Sequence, residues 1–178
     1  MKSKLFTAIA LIVIIWAIFI ADRIIPIDFV QFGIKPRSIS GLFGIIFAPF
    51  LHASWSHIIS NSLPLFFLTW ALFSFYDKIG ISVWSLSAII GGLLVWIFAR
   101  GNSVHVGASG VIFSLIGFLI ASGFFRMKFK AIIVAVIIAV VYGGVLWGML
   151  PSKPWISWEG HLFGFIAGVG LAWFYRKK

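Results

Sequence analysis

The chain has 178 residues, of which 62% are apolar and only 10% charged, and it contains no cysteine. A water-soluble domain of this size cannot hide that much hydrocarbon, so its solvent must be a bilayer. Without thiols there are no disulfides, cysteine nucleophiles or cysteine zinc sites, and the net charge of +10 sits in short loops and at the termini, a pattern of membrane topology rather than of nucleic-acid binding.

An apolar run at 5–21 follows Lys2 and Lys4. No small-residue cleavage pattern comes after it, so it reads as a first transmembrane span rather than a removed signal. Residues 22–56 form the longest connection, interrupted by Pro26, Gly33, Pro36, Gly41, Gly44 and Pro49. Backbone this irregular cannot cross lipid with its polar groups unpaired. It reads as an interfacial loop with short amphipathic pieces such as 40–47. Five more spans are expected over 57–76, 79–99, 109–125, 131–150 and 160–175. The fold class is therefore an all-α membrane protein, a single domain of six transmembrane helices with a long first extracellular loop.

Six crossings place both termini on one side. That side holds Lys2, Lys4, Lys78, Arg126, Lys128, Lys130, Arg176, Lys177 and Lys178 against Asp77. The other holds Arg23, Lys35, Arg37, Arg100 and Lys153 against Asp22, Asp28 and Glu159. The positive-inside rule then puts both termini in the cytoplasm of a plasma-membrane protein. The fourth and sixth spans are short, roughly 25 Å against about 30 Å of hydrocarbon, so polar residues at their outer ends would lie in a wet depression. No internal repeat supports an inverted-repeat transporter.

The second, fourth and sixth spans run in the same direction, so their first turns share a depth. Those turns carry His57 and Asn61, then Ser109, then His161. Polar side chains converging inside a membrane mark a functional site by default. Each also has a plainer reading. Ser109 could be a helix N-cap, His161 or His57 interhelical glue, and Asn61 a partner for a carbonyl freed by Pro64. His52 could be interfacial, and His105 in the polar loop reads as solvated. These plainer readings do not predict a common depth.

A serine becomes a nucleophile when a base takes its proton, and histidine is the usual base. Ser109 and His161 fit those roles if their helices touch. Gly160, Gly164 and Gly168 repeat every four residues on the sixth span, and Gly110, Ser114 and Gly117 make a small face on the fourth. His57 and Asn61, at i and i+4, share a face and can donate to an oxyanion beside the Ser109 amide. Glu159 is two residues from His161 and faces elsewhere, so a Ser–His dyad without a carboxylate is expected. No cofactor or metal is required.

Three motifs in this order, His57-Ile58-Ile59-Ser60-Asn61, Gly107-Ala108-Ser109-Gly110 and Gly160-His161-Leu162-Phe163-Gly164 with Gly168, resemble those of the rhomboid family of intramembrane serine proteases. The resemblance covers about residues 5–175. It implies Ser109 as nucleophile, His161 as general base, and His57 and Asn61 around the oxyanion. It also implies that Gly107 shapes the adjoining loop and lends an amide, and that His52 has a supporting place. Implied substrates are single-pass transmembrane proteins, cut near the bilayer edge after small residues and docked between the second and fifth spans. Two departures stand out. Phe43-Gly44 occupies the place of a common Trp-Arg pair, so loop anchoring is expected to differ. Phe113 replaces a tyrosine that stacks on the catalytic histidine, which keeps the aromatic face without the hydroxyl.

Rival readings are a non-catalytic rhomboid-like scaffold for membrane helices and a small channel or transporter lined by the polar cluster. A His-Glu-x-x-His zinc protease lacks its motif here, and an aspartyl protease lacks paired membrane aspartates.

Overall fold

The computed structural model describes residues 2–151 and 156–178; Lys153, assigned above to the outer side, lies outside them. Its α-helices are α1 (Lys2–Ile24), α2 (Ile39–Phe47), α3 (Trp55–Phe75), α4 (Asp77–Phe98), α5 (Ser109–Arg126), α6 (Phe129–Tyr142) and α7 (Trp158–Phe174). Five helical stretches, among them Phe129–Met149, are long and apolar enough to cross a bilayer. The sixth apolar helix, α7, has 17 residues, or about 25 Å.

Two differences from the expected elements have local causes. The run at 131–150 starts earlier, at Phe129, and is α-helical only to Tyr142; Gly143–Met149 tightens into a 3-10 helix. Gly143 and Gly144 open that stretch with no side chain to pack, where an α-helix is easily interrupted. The 22–56 connection holds a nine-residue helix, α2, flanked by 3-10 turns at Phe29–Phe32 and Ala48–Phe50. Serines start the helices on either side of the second turn. Ser38 Oγ accepts from the Gly41 amide of α2 at 3.1 Å, and Ser54 Oγ accepts from the His57 amide of α3 at 3.2 Å. Pro64 is carried inside α3 without ending it.

The first loop is anchored to the C-terminal end of α4. Arg37 donates to the carbonyls of Ile97 (3.1 Å) and Ala99 (2.7 Å), and Trp96 Nε1 donates to Ser38 O (2.8 Å). Phe43 is exposed, so this arginine and tryptophan, far apart in sequence, hold the loop where Phe43-Gly44 does not.

The centre of the bundle is α5, which packs against α3, α4, α6 and α7. Leu115, Ile116, Phe118 and Leu119 are fully buried there, and Ser114 Oγ donates to Ser87 Oγ of α4 at 2.8 Å. A helix apolar on all sides belongs inside, and this one is surrounded. By contrast α1 lies outside α3, joined by Trp16 Nε1 donating to Ser62 Oγ at 3.0 Å. Its exposed Phe6, Val13 and Ile14 need lipid around them. Contacts sort the chain into two ends. Lys4 pairs with Asp77 at 3.1 Å and Arg126 holds Tyr175 O at one end; Arg23 holds Ala53 O and Arg100 holds Ile156 O at the other.

The α5–α7 seam is the tightest in the bundle. A Cβ on Gly164 would collide with the Gly110 carbonyl, one on Gly168 with the Ser114 carbonyl, and one on Gly117 would stand 2.6 Å from Phe165 O. Gly170, on the same helix, has nothing within 4 Å of such a Cβ. Gly168→Val should therefore destabilise the protein by roughly 1–3 kcal/mol or prevent folding, while Gly170→Ala should be neutral or slightly stabilising. Thermal unfolding in detergent checks this, and equal melting temperatures for the two variants would contradict the seam.

Candidate active site

Three helix starts, those of α3, α5 and α7, meet at one end of the bundle. Ser109 is the first residue of α5 and caps nothing, because Ala108 occupies the N-cap position. It sits one turn above Phe113 on the same face of the helix. The Phe113 ring stacks on His161 of α7, with centroids 4.2 Å apart and planes 6° from parallel. The backbones of α5 and α7 also close in beside the two residues: a Cβ on Gly110 would lie 3.5 Å from Gly160 O. The seam thus sets the starts of α5 and α7, which carry Ser109 and His161, side by side.

The His161 ring is oriented by a backbone group. Its Nδ1 lies 2.8 Å from the Gly148 carbonyl, which can only accept. Nδ1 therefore carries the proton, and Nε2 presents a lone pair, the form a general base needs. Among the described residues no hydrogen bond joins Ser109 to His161; such bonds commonly tighten only when substrate is bound. Gly148 belongs to the 3-10 stretch after α6. Nothing in its sequence context marked it, and only the break in that helix explains its position.

The other wall is made by α3 and the loop before α5. Gly107 has φ +110°, a conformation that L side chains rarely adopt. A Cβ there would stand 2.6 Å from His57 Cε1 and 3.4 Å from Asn61 Nδ2. Gly107 is therefore the floor on which His57 and Asn61 rest. Its expected contribution of an amide to an oxyanion is not met, since Gly107 N–H already donates to Ala48 O at 2.8 Å. The first-turn amides of α5 remain, as they have no acceptor inside the helix.

Asn61 is buried and its Nδ2 has no hydrogen-bond partner among the described residues. It does not satisfy a carbonyl freed by Pro64. His52 is buried too, its ring edge-on to His57 with centroids 5.1 Å apart, and its Nε2 accepts from the Ala108 amide at 3.5 Å. Glu159 pairs with Arg100 at 3.3 Å, and among the described residues no carboxylate hydrogen-bonds His161.

His105 overturns its sequence reading. It is 4% exposed, not solvated, because both ring nitrogens find hydroxyl partners inside the loop layer. With Ser87, Ser109 and Ser157 it lines a cavity of about 40 Å³ behind the serine, room for a water molecule. A larger groove of about 480 Å³ between α3 and α6, lined by Phe75, Lys130 and Ile137, lies at the opposite end. Among the described residues no cluster of side chains could hold a metal ion.

The Rhomboid domain family profile matches residues 40–178. The chain belongs to the rhomboid family. It is 39% identical over 153 residues to an uncharacterized protein of Mycobacterium tuberculosis, an alignment covering 79% of this chain and 62% of that protein. YdcA of Bacillus subtilis, which carries the rhomboid name, is 31% identical over 134 residues, 72% of this chain and 64% of YdcA. RHOMBOID-like protein 1 of Arabidopsis thaliana is 31% identical over 127 residues, 68% of this chain and 31% of that one. The chain spans less than two thirds of the length of each. This rhomboid is accordingly a multi-pass membrane protein in a lipid bilayer.

Burial makes two loop histidines hard to charge. His52 is pushed down to about 4 by desolvation and by the neighbouring His57, and His105 is lowered by desolvation, partly opposed by Glu159. An unfolded histidine titrates near 6.5. Between that value and about 4 the unfolded chain binds more protons than the native rhomboid, so stability falls as pH falls through this window. Thermal unfolding in detergent should show a melting temperature that is level above pH 7 and declines steadily toward pH 4.5. A flat profile would contradict the burial of these rings.

Proposed function

We propose that this rhomboid is an intramembrane serine endopeptidase working through a Ser109–His161 dyad. The observation that carries the reading is the His161 tautomer. The ring is fixed by Phe113 on its face and by the Gly148 carbonyl at Nδ1, leaving Nε2 as an acceptor toward the start of α5. A histidine serving only as interhelical glue has no need of a free, oriented lone pair.

In the proposed reaction a substrate transmembrane segment enters sideways between α3 and α6 and unwinds locally, exposing a carbonyl. His161 Nε2 takes the Ser109 proton as Oγ attacks that carbon. The tetrahedral oxyanion is stabilised by His57, by Asn61 Nδ2 and by first-turn amides of α5. These donors are fixed before the charge appears, and each is worth roughly 2.7–4 kcal/mol in comparable sites. The imidazolium then protonates the leaving amine, and water attacks the acyl-enzyme with His161 again as base. The termini lie in the cytoplasm and the site opens outward, as the distribution of Lys and Arg supports. Substrates are single-pass membrane proteins, and no cofactor enters.

Cleavage of a transmembrane reporter in liposomes tests the proposal, alongside labelling by a fluorophosphonate. Ser109→Ala and His161→Ala should each lose almost all turnover while remaining folded, and Ser109→Ala should abolish labelling. Asn61→Ala should lower kcat by about 10²–10³-fold. Turnover that survives in Ser109→Ala, or folded wild-type protein that neither cleaves nor labels, would refute the dyad; the second result would favour a scaffold.

A further inference from the structure

The loop between α4 and α5 contains a polar chain that the reaction above does not use. Ser103 Oγ donates to Arg100 O at 2.8 Å, which uses its only proton. Its contact with His105 Nε2 at 2.9 Å must therefore be a bond that the ring donates. That leaves His105 Nδ1 as an acceptor, so the Ser157 hydroxyl donates to it across 2.6 Å. The neutral ring thus has a defined tautomer, with each nitrogen in one role.

Ser157 is the residue before α7. It stands at the N-cap, where a serine ordinarily bonds its own helix, yet its side chain caps nothing. The hydroxyl is directed instead to His105, while its carbonyl accepts from the His161 amide at 3.2 Å. Two further contacts run alongside: Arg100 donates to Ile156 O at 3.0 Å and pairs with Glu159 at 3.3 Å. His105 is itself tied to the first loop, exchanging backbone bonds of 2.9 Å each way with Ile34.

The spacing shows what this chain connects. His105 lies four residues before Ser109, and Ser157 lies four residues before His161. From these observations, and resting on the dyad proposed above, we infer that His105 is a positioning residue, clamping the segment that leads into Ser109 to the segment that leads into His161. The glycine seam sets how closely α5 and α7 approach below the site. The His105–Ser157 bond sets it above. Without the upper bond the start of α7 can pivot about the seam, and the imidazole moves relative to the hydroxyl.

Misplacing a reacting group by about 1 Å can cost 10²-fold in rate without weakening substrate binding. In the reporter assay, His105→Ala and Ser157→Ala should each lower kcat about 10–100-fold with KM held within about twofold. The double variant should be no slower than the slower single, because both remove the same bond. His105→Asn, which keeps an acceptor near the Nδ1 position, should recover much of the rate. A second readout needs no activity. The chain has no cysteine, so spin labels at Val104→Cys, exposed, and Leu162→Cys, half-buried near the start of α7, report the distance from this loop to that start in the full chain. That distribution should shift or broaden in His105→Ala. Wild-type kcat per folded molecule in His105→Ala, or an unchanged distance distribution, overturns the clamp. If the wild type shows no Ser109-dependent turnover, the dyad falls, and the distance measurement still decides the clamp.

Discussion

The α5–α7 seam is the contact on which the rest of the site depends. In a bilayer the lipid tails are as apolar as the side chains, so burial alone does not draw two helices together. Close approach needs small residues and close packing. Gly110 against Gly164, and Ser114 against Gly168, let backbones touch where side chains would hold them apart. Because the contact begins within one residue of Ser109 and three of His161, its tightness becomes the precision of the site. The same contact buries α5 in the centre, which fixes Ser109 at a single depth.

Around the seam, polar groups are arranged to avoid charge. His161 donates its Nδ1–H to a carbonyl, and His105 is held between two serine hydroxyls. His52 accepts from a backbone amide. For the two loop rings, His52 and His105, burial makes the charged form costly and favours a neutral imidazole. The one carboxylate near the site, Glu159, is paired with Arg100. A Ser–His pair can work without a third member where a backbone carbonyl and a stacked ring do its orienting work, and Gly148 and Phe113 occupy those two places.

The spans were legible in the sequence because hydropathy is a property of the chain alone, and the common direction of the second, fourth and sixth spans already brought their starts to one end. So was the glycine spacing that makes the seam. What could not be read was contact between loops. His105 looked solvated because it sits in a polar loop, and its burial depends on Ser157, 52 residues away. Gly148 acquired its place only because the sixth helix tightens after Tyr142, a consequence of two glycines with no side chains to pack. The Arg37 and Trp96 anchors lay outside the motif that usually signals them. A Gly107 amide was expected at the oxyanion, and Ala48 O had already taken it. Each of these turns on which donor meets which acceptor, and hydrophobic periodicity carries no information on that.

Asn61 shows how such a pairing account distinguishes structure from function. A buried amide donor left without a partner costs about 1–3 kcal/mol, and native proteins contain few of them. Asn61 could have been accommodated in α3 in many ways: turned to a carbonyl of its own helix, as Ser60 and Ser62 are, or replaced by an apolar residue of similar volume. Instead its Nδ2 lies unpartnered beside Gly107, whose missing side chain makes room for the neighbouring His57 ring. Stability is reduced at this point, and packing alone offers no return for it. Under the mechanism proposed above, the acceptor arrives later and carries negative charge. On that reading the unpaired Asn61 donor is a hydrogen bond reserved for the transition state.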